Sequence, residues 1–465
     1  MSRNQTIALA TSFASDGRFL SDLQRRVAIA TESQKPERRP ECYRYLNEIS
    51  ADFGRLGFTG EVVENPHPTG GPLLIARRIE SDALPTLLVY GHGDVVAGME
   101  GSWSNGRDPW QVKVEGERIY GRGTADNKGQ HTIVMLALEA VLATRGTLGF
   151  NTIALIETSE ETGSAGLREI CAEHRAKLQA DWLIASDGPR LAQHRPTLDG
   201  GTRGTADFDL VCDLRPGAHH SGNWGGLIAN PAVILANAIA ALVSANGRIN
   251  VRDILPSEIP QSVRTALARI ELETEENGPE LNPWWGEPGL TPSERVFGWT
   301  ALEVLAMTSG RPEQPINAIP PHARARMQIR YTVDVDPAAF FPAIRAFLDE
   351  NGFQNVTIEP MAQESEWGAT RLDPEHPLMR WAAASVEKTT GIEPTILPNA
   401  GGSLPNDCFA DILGMPTIWV PHSYSGCSQH APDEHLLQPL VKEGLAIMAG
   451  LFWDLGAEGR PERLR

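Results

Sequence analysis

The chain has 465 residues, 41% of them hydrophobic, and a formal net charge of -18. That length exceeds one ordinary core and predicts two domains, and the charge excludes nucleic acid as a partner, because a phosphate backbone needs basic patches and none is visible. Five scattered cysteines without a CxxC pair, an N-terminus lacking a continuous apolar stretch, and no run long enough to span a bilayer set the expectation of a soluble cytoplasmic protein with idle thiols.

Apolar residues recur at helical spacing from residue 5 to 58, through Phe19, Leu20 and Leu23 and again through Tyr45, Leu46, Ile49, Phe53 and Leu56, until Gly57 stops the pattern. From there strands and helices alternate. LLIARRI and TLLVYGH read as strands, NKGQHTIVMLALEAVLATRG as a helix ended by Gly146, NTIALIE as a strand, LREICAEHRAKL as a helix and DWLIASDG as a strand. Such alternation predicts an α/β domain with a mostly parallel sheet sandwiched by helices, in which ligands bind beyond the carboxyl ends of the strands. His92, Glu160, Glu161 and Asp187 all stand just past predicted strand ends.

After Gly204 the pattern changes. ADFDLVCDL and ARARMQIRYTV alternate as strands, NVTIEP adds a third, and two helices follow from NPAVILANAIAALVSA, with Asn230 as cap and Pro231 in the first turn, and from PAAFFPAIRAFLDENG. These segments fit a small α+β layer with one face covered. Between them an irregular stretch from Arg252 to Trp299 is rich in Pro and Trp and carries Glu271, Glu273, Glu275, Glu276 and Glu280, which reads as a solvated acidic surface, with a funnel for a cationic substrate as the lesser alternative. From about Met361 the first pattern returns, with a helix around Pro377–Thr390, the strand PTIWVP and a last helix through LVKEGLAIMAGLFWDL. The second domain is thereby inserted into the first, giving segments 1–203, 204–361 and 362–465.

The residues that carry chemistry lie between these elements. In TLLVYGHGD, His92 ends a buried strand, and extended backbone aims residues two apart the same way. The Asp94 carboxylate then reaches one imidazole nitrogen and leaves the other for a metal, although such a pair is also a common surface hydrogen bond. GRGTADNKG, from Gly121 to Gly129, is Gly-rich and opens a helix, but Asp126 stands where a phosphate loop needs Gly, and a carboxylate there repels phosphate. It suits a hard cation or a structural turn. In ETSEETGS the adjacent Glu160 and Glu161 diverge, so one can bind metal while the other reaches a water. SDG at Ser186 to Gly188 adds a carboxylate and QHAPDEH at Gln429 to His435 adds a histidine.

The order His92-x-Asp94, GRGTADNKG, SEETGS, SDG and HAPDEH resembles, from end to end, the M20 family of metallopeptidases and amidohydrolases. Through SDGPRLAQHRPTLDGGTRGT, HHSGNWGG followed by NPAVIL, and GGSLP, it looks closest to the carnosine dipeptidase branch. The resemblance implies a di-zinc aminopeptidase-like catalytic domain with an inserted lid and dimerisation domain. It implies that His92 and Asp187 bind one metal, Glu161 and His430 the other, and that Asp126 bridges both and is followed by a cis peptide to Asn127. Glu160 becomes the general base and Asp94 the residue that orients His92. The HxPxE context favours His430 over its neighbours His422 and His435. Zinc is the expected pair of ions, with manganese or cobalt as alternatives for N and O ligands.

By the same resemblance His220, rather than the adjacent His219, reaches across a homodimer to stabilise an oxyanion. Arg330 holds a substrate carboxylate, for which its fixed fork is suited, with Gly401, Gly402, Ser403 and Asn317 as further contacts. The implied reaction is hydrolysis of a peptide or amide bond beside a free carboxylate, in a dipeptide or an N-acyl amino acid. The alternatives are a deacylase or other amidohydrolase, and a homologue that keeps the fold without activity. Departures after Pro405 in GGSLPND and at Tyr331, which follows the lid arginine, leave the substrate open.

Overall fold

The computed structural model describes residues 2–272, 279–361 and 367–458. Of the acidic run, Glu273, Glu275 and Glu276 lie outside the described residues. The chain forms two compact units, one of residues 1–201 with 371–465 and one of residues 202–370. The return to the first unit therefore comes at Arg371 rather than at 362.

The first unit is built on an eight-stranded sheet. Its order is Thr59–Val63, Leu73–Arg78, Asn151–Glu157, Thr86–His92, Trp182–Ala185, Thr417–Trp419, Thr197–Asp199 and Thr395–Leu397. The central strands pair in parallel, Thr86–His92 lying between Asn151–Glu157 and Trp182–Ala185. Antiparallel pairings join the two outermost strands at one side and link Trp419 to Asp199 at the other.

Alternation along these strands feeds two cores. Leu87 and Val89 enter the larger one, under the helices Arg39–Arg55, Lys128–Arg145, Pro377–Thr390 and Gln438–Glu458. Leu88 and Tyr90 face the smaller one, covered by Leu167–Glu173 and the segment Cys408–Ile412. A strand buried on both faces must be apolar throughout. That is why TLLVYGH reads as a continuous apolar run.

The helical stretch expected over 5–58 is three helices, Arg3–Ser12, Arg18–Val27 and Arg39–Arg55. Gly17, at φ 89°, takes the left-handed conformation that separates the first two. Before the third, Glu32 pairs with Val95 in an isolated parallel bridge, and Pro36 opens a short turn. The five cysteines are free and buried. Among the described residues no helix is long and apolar enough to cross a membrane.

The second unit carries a four-stranded antiparallel sheet ordered Ala301–Thr308, His322–Tyr331, Gly204–Asp213 and Thr357–Pro360. Phe208, Leu210, Ala325, Met327 and Ile329 pack under the helices Pro231–Leu242 and Phe340–Glu350. The opposite face is charged, Asp209 pairing with Arg324 and Arg326. Asn230 caps its helix by accepting from the Ala232 N–H, with Pro231 in the first turn. Ala301–Thr308, an edge strand that begins just after the irregular stretch, has no counterpart in the sequence reading.

Candidate metal centre

His92 ends its strand fully buried. Its Nδ1 lies 3.1 Å from the Asp94 carbonyl oxygen and 3.4 Å from Asp94 Oδ1. Its Nε2 lies 2.9 Å from Asp126 Oδ1 and 3.5 Å from Asp187 Oδ2. Two-residue alternation thus puts a carboxylate at one ring nitrogen and frees the other. The turn also needs its glycine, since a Cβ on Gly93 would lie 2.3 Å from the Tyr45 ring.

Asp94 has a second task that the spacing did not reveal. Its Oδ1 accepts the Glu160 N–H at 3.2 Å and its Oδ2 the Glu161 N–H at 3.1 Å. Both orphan donors at the start of the turn Glu160–Thr162 are thereby satisfied. From this turn the two side chains diverge. Glu161 Oε2 lies 3.0 Å from His430 Nε2, and Glu160 Oε2 lies 3.9 Å from His92 Nε2.

Asp126 stands between the histidines, its Oδ2 lying 2.9 Å from His430 Nε2 and accepting from Gln429 Nε2 at 2.6 Å. The peptide from Asp126 to Asn127 is cis. Asn127 donates to the Ser186 carbonyl at 2.7 Å, and its Oδ1 meets His131 Nδ1 at 2.9 Å, with Tyr45 on the other ring nitrogen. The Asp126 and Asp187 loops are thus tied together. The backbone N–H groups of Gly123, Ala125 and Asp126 all donate to the buried Glu434 carboxylate. The Gly-rich loop is an anion cradle after all, and its anion is a side chain of the same protein.

Two overlapping groups of donors result, His92 with Asp126 and Asp187, and Asp126 with Glu161 and His430. In each, the donor atoms lie within 4.8 Å of one another. The sequence-predicted ligands are all brought together. His422 and His435 belong to neither group: His422 is fully buried away from them, and His435 meets the Tyr424 hydroxyl at 2.7 Å.

Packed this closely, the charges disturb each other. Burial lifts Glu161 to about 7 and Asp187 to about 6, and the Asp126 charge adds to both. Burial also raises Glu160 well above the carboxylate range, and the repulsion of Asp187 and Glu161 adds to it against the pull of His92. Hydrogen bonds to Asp126 and then Glu161 raise half-exposed His430 to about 11. Burial opposes a charge on His92, but Glu160, Asp126 and Asp94 outweigh it and raise its pKa well above the usual value. For Asp126 burial pushes upward, and the hydrogen bonds from His430 and His92 overcome it and hold the pKa low.

This donor set fits divalent cations. Asp187 Oδ2 is buried with no hydrogen-bond partner, an arrangement that costs free energy unless a cation meets it. Carboxylates also outnumber imidazoles, and each donor group combines N and O atoms without a thiolate.

A model of peptidase family M20/M25/M40 matches residues 88–454. The chain belongs to that family. It is 23% identical over 461 residues to the Beta-Ala-His dipeptidase of Rattus norvegicus, spanning 94% of this chain and 92% of that one. With the cysteinylglycine-S-conjugate dipeptidase of Corynebacterium striatum it shares 24% identity, covering 86% and 88% of the two chains. Its fold is that of an M20 family metallo-carboxypeptidase from Sulfolobus solfataricus, with a TM-score of 0.78, 23% identity, and coverage of 94% and 99%.

The remaining candidates of this M20 chain are placed by their own units. In the second unit, His220 is exposed and accepts the Gly222 N–H on Nδ1 at 3.1 Å. His219 instead lies near the Trp224 ring, their centroids 5.7 Å apart. The carbonyl of Asn317, itself exposed, accepts the Ser221 N–H at 2.9 Å, so the His220 and Asn317 segments adjoin. Arg330 is half-buried on its strand and donates Nε to Gln328 Oε1 at 3.0 Å. Burial lowers its pKa against the attraction of Asp207. In the first unit, Gly401 to Ser403 form a loop after Thr395–Leu397 in which Gly402 is exposed.

Proposed function

We propose that this M20 hydrolase is a di-metal dipeptidase acting on a peptide bond beside a free carboxylate. The observation that carries the reading is the pair of donor groups sharing Asp126, with Glu160 beside them and in neither. In this reading His92 and Asp187 hold one cation, Glu161 and His430 the other, and Asp126 both. Zinc suits these donors, as do manganese and cobalt. The cations supply Lewis acidity and favour ionisation of water at neutral pH.

The chain's own groups do the rest. Glu160 takes a proton from the attacking water on its carboxylate and delivers it to the leaving amine nitrogen. Asp94 holds His92 in one tautomer and fixes the turn that carries Glu160. Arg330, with Asn317, Gly402 and Ser403, receives the substrate carboxylate and thereby selects the terminal bond. His220 of the partner subunit donates to the oxyanion.

A homodimer is supported by the edge strand Ala301–Thr308, which exposes Val304 by 43%, Leu305 by 54% and Met307 by 44%. Unpaired edges with apolar side chains seek a second strand. A cytoplasmic location is supported by five free, buried thiols.

The test is hydrolysis of a panel containing β-alanyl-histidine, cysteinylglycine and N-acetyl amino acids by metal-stripped protein, with and without zinc, manganese or cobalt. Metal-dependent release of amino acids from the dipeptides is expected. Release from the N-acetyl amino acids alone would overturn the dipeptidase assignment. Glu160→Gln should retain its metals while turnover falls by about 10² to 10⁴, and unchanged turnover would remove Glu160 as the base.

A further inference from the structure

The cradle formed by residues 121–126 places a fully buried carboxylate directly behind a shared metal donor. Glu434 is 1% exposed. Its Oε1 accepts from Ala125 N at 2.9 Å and Asp126 N at 3.1 Å. Its Oε2 accepts from Gly123 N at 3.0 Å and from Arg122 Nη1 at 2.7 Å, and its carbonyl from Gly121 N at 3.1 Å. Its segment also carries His430, whose Nε2 lies 2.9 Å from Asp126 Oδ2. Residues 430–434 therefore grip Asp126 twice, at the side chain and at the main-chain nitrogen. Asp126 belongs to both donor groups, so any tilt of its loop disturbs both at once.

We propose that Glu434 is a positioning residue for the metal centre, its buried carboxylate gathering the N–H groups of Gly123, Ala125 and Asp126 so that Asp126 presents one oxygen to each donor group. This inference rests on the di-metal reading above. Glutamine in its place turns one acceptor into a donor aimed at a backbone N–H or at Arg122. Aspartate, one methylene shorter, cannot reach both sides of the cradle. Partners of this kind behind a ligand typically change metal affinity 10- to 100-fold.

The experiment titrates zinc into metal-stripped wild-type protein, Glu434→Gln and the double variant Arg122→Met with Glu434→Gln, using a competing chelator, and records thermal unfolding of each metal-free protein. In Glu434→Gln both zinc affinities should fall about 10- to 100-fold together. The double variant removes the buried guanidinium with its partner, so a fold weakened by an uncompensated charge regains stability while its zinc affinity stays low. Zinc affinity that recovers with stability in the double variant would overturn the proposal and leave Glu434 a structural ion pair. Affinity unchanged in folded Glu434→Gln, or a loss confined to one of the two zinc ions, would also overturn it. Failure of the wild-type protein to bind zinc, manganese or cobalt would instead refute the di-metal reading, and the inference with it.

Discussion

Loading the metal centre should release protons, and the number follows from the crowding of its charges. Without metal, the His92 pKa is raised well above its usual value and that of His430 to about 11. At pH 7 the His430 imidazole is therefore protonated. Glu161, at about 7, is half protonated. Metal ligation needs neutral imidazoles and ionised carboxylates, and a general base must be ionised to act. Saturation with two divalent ions should then expel about 1.5 protons at pH 7 from these two groups, one from His430 and half of one from Glu161, with any proton that the raised His92 holds in addition. Two histidines at their ordinary pKa of about 6.5, with carboxylates already ionised, would release only about 0.5.

The direction is fixed by the same comparison. These groups hold protons more tightly in the metal-free protein, so acid favours the metal-free state. Affinity falls as pH falls, with a slope in log K near the number released. Titration calorimetry of zinc or manganese into stripped protein, in two buffers of different ionisation enthalpy at pH 7, measures that number. Release of about 0.5 proton or fewer would show that His430 is already neutral and would refute the reasoning.

Three further outcomes follow from other parts of the site. Asp94→Asn keeps one acceptor oxygen but turns an NH₂ toward the Glu160 or Glu161 N–H, a loss of about 1–3 kcal/mol, and competition titration should find metal affinity 10- to 100-fold weaker. Arg330→Met should raise KM for dipeptides by about 10² while changing kcat little, because a charge-assisted bidentate contact is lost. A dipeptide amidated at its C-terminus should not distinguish that variant from wild type, and steady-state kinetics on the two substrates decide. Mixing inactive His220→Ala with inactive Glu160→Gln should restore about one quarter of wild-type activity, since random exchange makes about half the dimers mixed, each with one intact site. No recovery after subunit exchange verified by mass spectrometry would count against a crossing histidine.

Much of the catalytic unit was legible because its cause is local. A strand between two helical layers must be apolar throughout, so TLLVYGH, NTIALIE and DWLIASDG declared themselves, and with them the strand ends that carry His92, Glu160, Glu161 and Asp187. The cap at Asn230 and the stop at Gly146 were equally local. The edge strand Ala301–Thr308 was not. Its burial pattern is nearly all exposed, and its register shifts between Val304 and Ala306. An exposed strand interrupted by a bulge shows no alternation for a sequence reading to find.

Contacts that join distant motifs were hidden for another reason. Nothing in HGD says that Asp94 will cap the turn at Glu160, and nothing in HAPDEH says that Glu434 will fill the cradle of GRGTADN. Each is a polar side chain that reads as solvated until the fold buries it against backbone donors. The Gly-rich loop does gather backbone N–H groups toward a negative charge, as such loops do. Asp126 at its end made phosphate implausible, yet the cradle needed an anion. Only the packing of residues 430–434 against residues 121–126 shows that the motif supplying His430 to one donor group also supplies that anion. The two motifs act as one structural unit with the shared carboxylate of Asp126 at its centre.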